Sequence, residues 1–293
     1  MESLKSLLKK GTEILEKSKI EEAGLDAWLL LEYATGKNRA YYFAHSEEAV
    51  EENLVQTYET LCENRGKRIP LQHLTHQAFF MGYEFYVNDQ VLIPRQDTEC
   101  VVEQALELLK PMKAPRILDM CTGSGCILLS LFCEREDASG VGADVSRGAL
   151  KVAERNAESL KVAERLKLIQ SDLFSDVFFQ ETCGAGRETY DMIISNPPYI
   201  PTADIRELMD EVRFHDPFLA LDGKEDGLFF YRRITEDGTA FLKPGGWLIY
   251  EIGCDQGEAV SEFMKDRGFL EVSVKKDLCG LPRMVFGRMP VSR

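Results

Sequence analysis

The sequence has no basic excess: 35 Lys and Arg stand against 49 Asp and Glu in 293 residues, for a formal charge of -14. Such a chain opposes tight, sequence-independent binding to nucleic-acid phosphates unless a local basic block exists, and none is found. Cysteines at redox or metal spacing are missing too. Cys62, Cys100, Cys121, Cys126, Cys133, Cys183, Cys254 and Cys279 form no C-x-x-C and no dense pattern. That argues against a disulfide scaffold and for reduced thiols in a cytosolic chain. His73 and His76 lie three apart without a nearby Cys or acidic partner at ligand spacing, so they read as loop or surface residues and no metal is expected. No apolar run approaches the roughly 18 residues that span a membrane, and no apolar stretch at the N-terminus precedes a small-residue cleavage site. The expectation is a cytoplasmic monomer that contacts neither membrane nor, directly, nucleic acid.

With 44% hydrophobic and 29% charged residues, the composition is that of a globular protein, and the length suggests about two domains. Residues 1 to about 70 carry apolar positions at helical spacing. Leu4, Leu7, Leu8, Ile14 and Leu15 mark one helix; Leu25, Trp28 and Leu29 mark a second that stops at Gly36. A third runs from Ser46, read as its N-cap, through Val50, Leu54, Tyr58 and Leu61 to Gly66. Between 77 and 94 the aromatic and β-branched stretches Phe79 to Val87 and Val91 to Ile93, broken at Asn88-Asp89, predict a hairpin linker. An amphipathic helix follows, with Asp97 or Thr98 as either its N-cap or a contributor to a site.

From Arg116 strands alternate with helices, the signature of a parallel α/β sheet. Strands are predicted at Arg116–Met120, Gly140–Asp144, Lys167–Gln170, Asp191–Ser195 and Gly246–Ile252, with two more near Leu270–Lys275 and Met284–Gly287. The domain reading is therefore 1–76 helical, 77–94 hairpin and 95–293 a Rossmann-like α/β domain.

Polar residues cluster where these strands end. Cys121-Thr122-Gly123-Ser124-Gly125 lies between the first strand and an apolar helix, a place where a ligand can press against backbone. Leu128 stands where the dinucleotide fingerprint requires a third glycine, which disfavours nicotinamide binding. Asp144, ending the second strand, can accept both hydroxyls of a ribose, with a helix cap as the alternative. Asp172 and Leu173 would flank the base, and Asp119 could face an ammonium group. Together these residues predict a site for a nucleoside bearing an amino-acid tail.

The fourth strand runs into Asn196-Pro197-Pro198-Tyr199. Each proline fixes its own φ, lacks an N–H and restricts the residue before it, so this corner is stiff and exposes carbonyls. An asparagine amide, a carbonyl and an aromatic face could receive a planar group carrying –NH2. The alternative is an ordinary proline-rich turn.

The glycine-rich turn, the Asp144 strand end and Asn196 to Tyr199 resemble a class I S-adenosylmethionine methyltransferase acting on planar nitrogen. More narrowly, Leu92 to Glu99, Asn196 to Ile200, Asp222 to Leu228, Tyr250 to Gly253 and Lys276 to Gly280 resemble the HemK/PrmC family over nearly the whole chain. The resemblance implies methyl transfer from S-adenosylmethionine, with S-adenosylhomocysteine as product. The implied substrate is the side-chain amide (N5) of the glutamine in the Gly-Gly-Gln motif of class 1 peptide release factors, and the implied role is in translation termination. It further implies cofactor contacts from Asp119, Cys121, Thr122, Gly123, Ser124, Gly125, Asp144, Asp172, Leu173 and Asn196, and substrate contacts from Asn196, Pro197, Pro198 and Tyr199.

In the expected mechanism the Asn196 oxygen and the Pro197 carbonyl accept the two amide N–H bonds, while Tyr199 packs on the amide plane. Cys121 departs from the family's usual glycine and could narrow the cofactor's approach. Rival readings are an N6-adenine methyltransferase, which the charge disfavours, and a catalytically silent S-adenosylmethionine-binding protein.

Overall fold

A computed structural model describes residues 2–182 and 190–291. Cys183 lies outside the described residues. The chain separates into two compact units, Met1–Gln77 with Met209–His215, and Ala78–Leu208 with Asp216–Arg293.

The first unit is helical: α1 (Leu4–Lys17), α2 (Ala23–Thr35), α3 (Arg39–His45), α4 (Glu52–Gly66) and α5 (Leu71–Thr75). A capping box starts α1, in which the Ser3 hydroxyl accepts the Ser6 N–H at 3.2 Å and the Ser6 hydroxyl accepts the Ser3 N–H at 2.8 Å. Leu4, Leu7, Leu15, Ala27, Leu30, Leu31 and Tyr58 are buried together. Arg65 donates from Nε to Asp26 Oδ2 at 2.7 Å and from Nη1 to Glu211 Oε1 at 3.3 Å, tying the returning segment into this unit. Ser46 is not an N-cap. It ends α3 in a turn, and its carbonyl accepts from Lys5 N–H while that of Glu48 accepts from Leu4 N–H and Ala49 bridges Ser3, so this stretch is tied to the chain start. α4 therefore begins at Glu52.

The second unit opens with β1 (Gln77–Phe80) and β2 (Tyr83–Tyr86). The hairpin turns at Met81-Gly82, both with positive φ (52° and 79°), not at Asn88-Asp89. Two left-handed central residues match the twist of a tight hairpin, which decides the turn even though Met is a poor residue for it. Val91 to Ile93 form no strand. Val87, Val91 and Ile93 pack as irregular chain with Ala149 and Val152.

The remaining elements are α6 (Glu99–Leu109), β3 (Arg116–Met120), α7 (Cys126–Glu134), β4 (Ser139–Asp144), α8 (Arg147–Ser159), β5 (Leu166–Gln170), α9 (Val177–Thr182), β6 (Tyr190–Ser195), α10 (Asp210–His215, in the first unit), α11 (Phe218–Leu221), α12 (Phe229–Gly238), β7 (Leu242–Glu251), α13 (Gly257–Asp266), β8 (Leu270–Lys276) and β9 (Pro282–Arg288). The sheet order is β5-β4-β3-β6-β7-β9-β8. β5 through β7 pair in parallel and β9 runs antiparallel to both neighbours.

Side chains alternate between two covered faces, as a doubly covered parallel sheet requires. Ile117, Met192, Ile194 and Ile249 pack with Val101 and Val102 of α6 and Leu128 and Leu131 of α7. Leu118, Met120, Ile193 and Leu248 pack with Tyr231 and Ile234 of α12 and Val260 and Met264 of α13. Connections from β3 lead to β4 and β5 on one side, and β6 returns on the other. The order reverses at β3/β6, where such sheets open a crevice at the strands' carboxyl ends.

Candidate active site

Register brings the predicted loops together. Met120 pairs with Ser195 across β3/β6, so the turn from Cys121 and the corner from Asn196 leave the sheet side by side. The Ser195 hydroxyl donates to the Met120 carbonyl at 2.5 Å and fastens the two strand ends. On the other side Asp144 pairs with Gln170, placing Ser171 to Leu173 next to it.

A cavity of about 610 Å³ lies over these ends. Cys121, Thr122, Gly123, Ser124, Asp144, Asp172, Leu173, Asn196 and Pro198 line it; Asp119, Gly125, Pro197 and Tyr199 do not. Gly123 (φ 55°) has open space where a side chain would stand, whereas a side chain at Gly125 (φ 79°) would press on Leu129 and Ala153. Gly125 thus serves helix packing rather than ligand approach. Cys121 adopts φ 63° at the cavity wall, a left-handed conformation usually left to glycine, and burial pushes its thiol well above the usual range.

Asp144 joins two of the loops. Its Oδ2 accepts the Gly123 N–H at 2.9 Å and its Oδ1 the Ser146 N–H at 2.8 Å. Burial nevertheless raises its pKa against both bonds. Asp119 sits one layer behind, 1% exposed, with Oδ2 accepting from the Thr122 hydroxyl at 2.6 Å and Oδ1 unpartnered. Burial pushes its pKa up to about 7. Carboxylates that desolvation holds toward neutrality suit a cationic ligand, whose charge would reverse that shift. S-adenosylmethionine, with its sulfonium and ammonium beside a ribose and a purine, fits this donor set: Asp144 for the ribose hydroxyls, Leu173 for the base, and the Asp119–Thr122 pair behind the turn for the tail.

The corner is braced from behind. Gln256 donates from Nε2 to the Tyr199 carbonyl at 2.9 Å and to the Gly227 carbonyl at 3.3 Å, while its Oε1 accepts the Gly253 N–H at 2.9 Å. Ile200 and Asp222 form a bridge, with Gly223 N–H donating to the Ile200 carbonyl at 2.8 Å. A Cβ at Gly227 would stand 2.3 Å from the Tyr199 oxygen, so the segment from Asp222 to Leu228 can close on the corner only with glycine there. Tyr199 is half-buried against the α12/α13 core, and burial pushes its phenol up to about 12.

Several site residues escaped the sequence reading, which leaves Thr98 between a helix cap and a site role. Asn156, buried, accepts the Tyr86 N–H at 2.7 Å and donates to the Tyr86 carbonyl at 3.0 Å and the Ser124 carbonyl at 2.9 Å, clamping hairpin and turn together. Arg95 and Phe218 line the cavity, and Arg95 Nη2 donates to buried Asp216 Oδ2 at 2.8 Å. Thr98 makes no helix-cap bond although it precedes α6; its side chain meets Glu251, the last residue of β7. Glu251 was findable by the rule that singled out Asn196: a polar residue closing an apolar strand. Among the described residues no group of His, Cys, Asp and Glu could hold a metal ion, and no helix is long and apolar enough to cross a membrane.

A family model described as the PrmC N-terminal domain matches residues 6–75, and one described as the methyltransferase small domain matches 102–213. A release factor glutamine methyltransferase of Clostridium acetobutylicum is 36% identical over 282 residues, covering 96% of this chain and 97% of the relative. One from Geobacter sulfurreducens is 38% identical over 270 residues, covering 92% and 91%. Among solved structures, the hMettl16 catalytic domain in complex with an RNA hairpin superposes with a TM-score of 0.56 at 15% identity, over 80% of this chain and 82% of that one, a likeness of fold alone.

Proposed function

Because the chain belongs to the release factor glutamine methyltransferase family, we propose that it methylates the side-chain amide nitrogen (N5) of the glutamine in the Gly-Gly-Gln motif of class 1 peptide release factors. The observation that carries this reading is a shared wall: Asn196 and Pro198 line the same cavity as Gly123, Asp144 and Leu173. A group held at the corner therefore faces whatever the turn holds.

When bound, S-adenosylmethionine supplies an electrophilic methyl on its sulfonium and becomes the neutral thioether S-adenosylhomocysteine. The chain's task is to present a poor nucleophile, since a glutamine nitrogen shares its lone pair with the carbonyl. The Asn196 oxygen and the Pro197 carbonyl accept the two N–H bonds, directing the lone pair toward the methyl and favouring the positive charge that develops on nitrogen. Tyr199, held through its carbonyl by Gln256 and packed against the core outside the cavity lining, supports the corner from behind. Once the N–CH3 bond has formed, the nitrogen is acidic and releases its extra proton to solvent without a strong base. Pro198 removes the N–H that would sit beside the Pro197 carbonyl, so the acceptor is preorganised.

Residues 1–76 are assigned to recognition of the protein substrate, 77–94 to a hairpin linker and 95–293 to methyl transfer. The net charge of -14 favours a protein partner over direct nucleic-acid binding, and the enzyme is assigned to the cytoplasm as a monomer. Incubation with methyl-labelled cofactor and a release factor, followed by mass spectrometry of the Gly-Gly-Gln peptide, tests the reading. Label is expected on the glutamine and lost in a Gln→Ala control. Label that persists in the control, or that goes instead to an RNA oligonucleotide, overturns it.

A further inference from the structure

Glu251 is a buried carboxylate that the steps above do not use. Ser195 pairs with Tyr250 across β6/β7, so the next residues, Asn196 and Glu251, leave the sheet as neighbours. Glu251 is 2% exposed, and the polar side chains of Thr98 and Asn196 lie beside its carboxylate and favour its charged form. Its Oε2 has no hydrogen-bond partner. A carboxylate kept only to stabilise a core is ordinarily satisfied, so this one calls for another explanation.

We propose that Glu251 is a positioning residue that sets the orientation of the Asn196 amide, so that Asn196 presents its oxygen and not its NH2 to the substrate nitrogen. The inference rests on the glutamine-amide reading. An asparagine amide has nearly the same shape either way round, and its two ends do opposite things: the oxygen accepts the substrate N–H, whereas the NH2 would repel it. An ionised carboxylate has no proton to give. Only the NH2 end of Asn196 can bond to it, which turns Oδ1 toward the cavity. Thr98 sets its hydroxyl beside the same carboxylate, which accounts for a buried threonine, 2% exposed, that caps no helix.

The groups facing Glu251 come from every side. Arg283 of β9 favours its charge but is shared with Asp97, at 3.2 Å, and Asp277, at 3.1 Å. Asp97 opposes its charge, and Tyr199, Tyr231 of α12, Cys100 of α6 and Cys126 of α7 complete the surroundings. Burial is the largest influence and pushes the carboxyl up to about 7. Below that pH the protonated carboxyl can donate to Asn196 Oδ1, which takes up the acceptor the substrate needs.

The test uses the full chain with a release factor, comparing wild type, Glu251→Ala and Glu251→Gln for kcat, KM, cofactor affinity and pH profile. Glu251→Ala is expected to lower kcat about 100-fold while the cofactor dissociation constant stays within about threefold, the loss typical of a disordered polar contact to the reacting group. Glu251→Gln keeps shape and volume but can bond either end of Asn196. It is expected to lower kcat about tenfold and to abolish the fall in rate that the wild type shows as pH drops below about 7. Wild-type kcat together with a wild-type pH profile in Glu251→Gln overturns the role of Glu251 and leaves the substrate reading intact. A wild-type enzyme that transfers no methyl to the factor removes the substrate reading itself, and this inference with it.

Discussion

The Gly123 amide donates to Asp144 Oδ2 at 2.9 Å across 21 residues of sequence, joining the turn after β3 to the end of β4. One carboxylate thereby shapes the glycine turn and, in the proposed function, also receives the ribose hydroxyls. Asp144→Ala removes both functions. Loss of charge-assisted hydrogen bonds worth about 2 kcal/mol corresponds to a cofactor affinity roughly 30-fold weaker, read by titration calorimetry. An unchanged dissociation constant would place the ribose elsewhere.

In the proposed mechanism Asn196 serves the transfer step more than cofactor binding. Asn196→Ala is expected to reduce kcat by about 100- to 1000-fold, the effect of deleting one preorganised contact to the developing charge, with cofactor affinity held within about threefold. Equal losses in turnover and in cofactor binding would remove its catalytic role.

Gln256 is the brace behind Tyr199. Gln256→Ala leaves the carbonyls of Tyr199 and Gly227 and the N–H of Gly253 without this partner. The expected loss is about 2 to 4 kcal/mol of stability, read from urea midpoints, with turnover falling as the corner loosens. A variant as stable and as active as wild type would show that the backbone holds the corner alone.

Stability should fall with rising pH on account of Glu251. Its folded-state pKa, about 7, lies above its ordinary 4.5. Between these values the native protein holds a proton that the unfolded chain has released, so this group's contribution is complete below about 4.5 and lost as pH rises through 7. Glu251→Gln removes that dependence. In the ligand-free protein it should be more stable than wild type at pH 8, by on the order of 3 kcal/mol, and nearly equal to it near pH 4. Denaturation curves at the two pH values that show no difference in effect would mean the carboxylate is solvated in the native state.

Much of this site is legible in the chain alone because its signals are local. Apolar runs of strand length that end in Asp119, Asp144 and Asn196 mark strand ends whatever surrounds them, and two consecutive prolines stiffen Pro197-Pro198 by covalent geometry. Helical spacing in the first 66 residues likewise reports a face that must be buried. Ser46 shows the limit of local reading: its capping chemistry is real, but backbone pairing with the chain start overrides it. The hairpin turn fell to Met81-Gly82 for a similar reason, since strand twist and packing outweighed the turn propensity of Asn88-Asp89.

The sequence by itself determined the strands of the large sheet, the glycine turn, the stiff corner and the family. Tertiary structure alone decided which residues stand behind the chemistry. Glu251 meets Asn196 because of the β6/β7 register, Gln256 reaches Tyr199 across 57 residues, and Gly227 admits that carbonyl at close range. Each relationship depends on how two distant segments pair, and no periodicity or spacing within either segment encodes the distance between them.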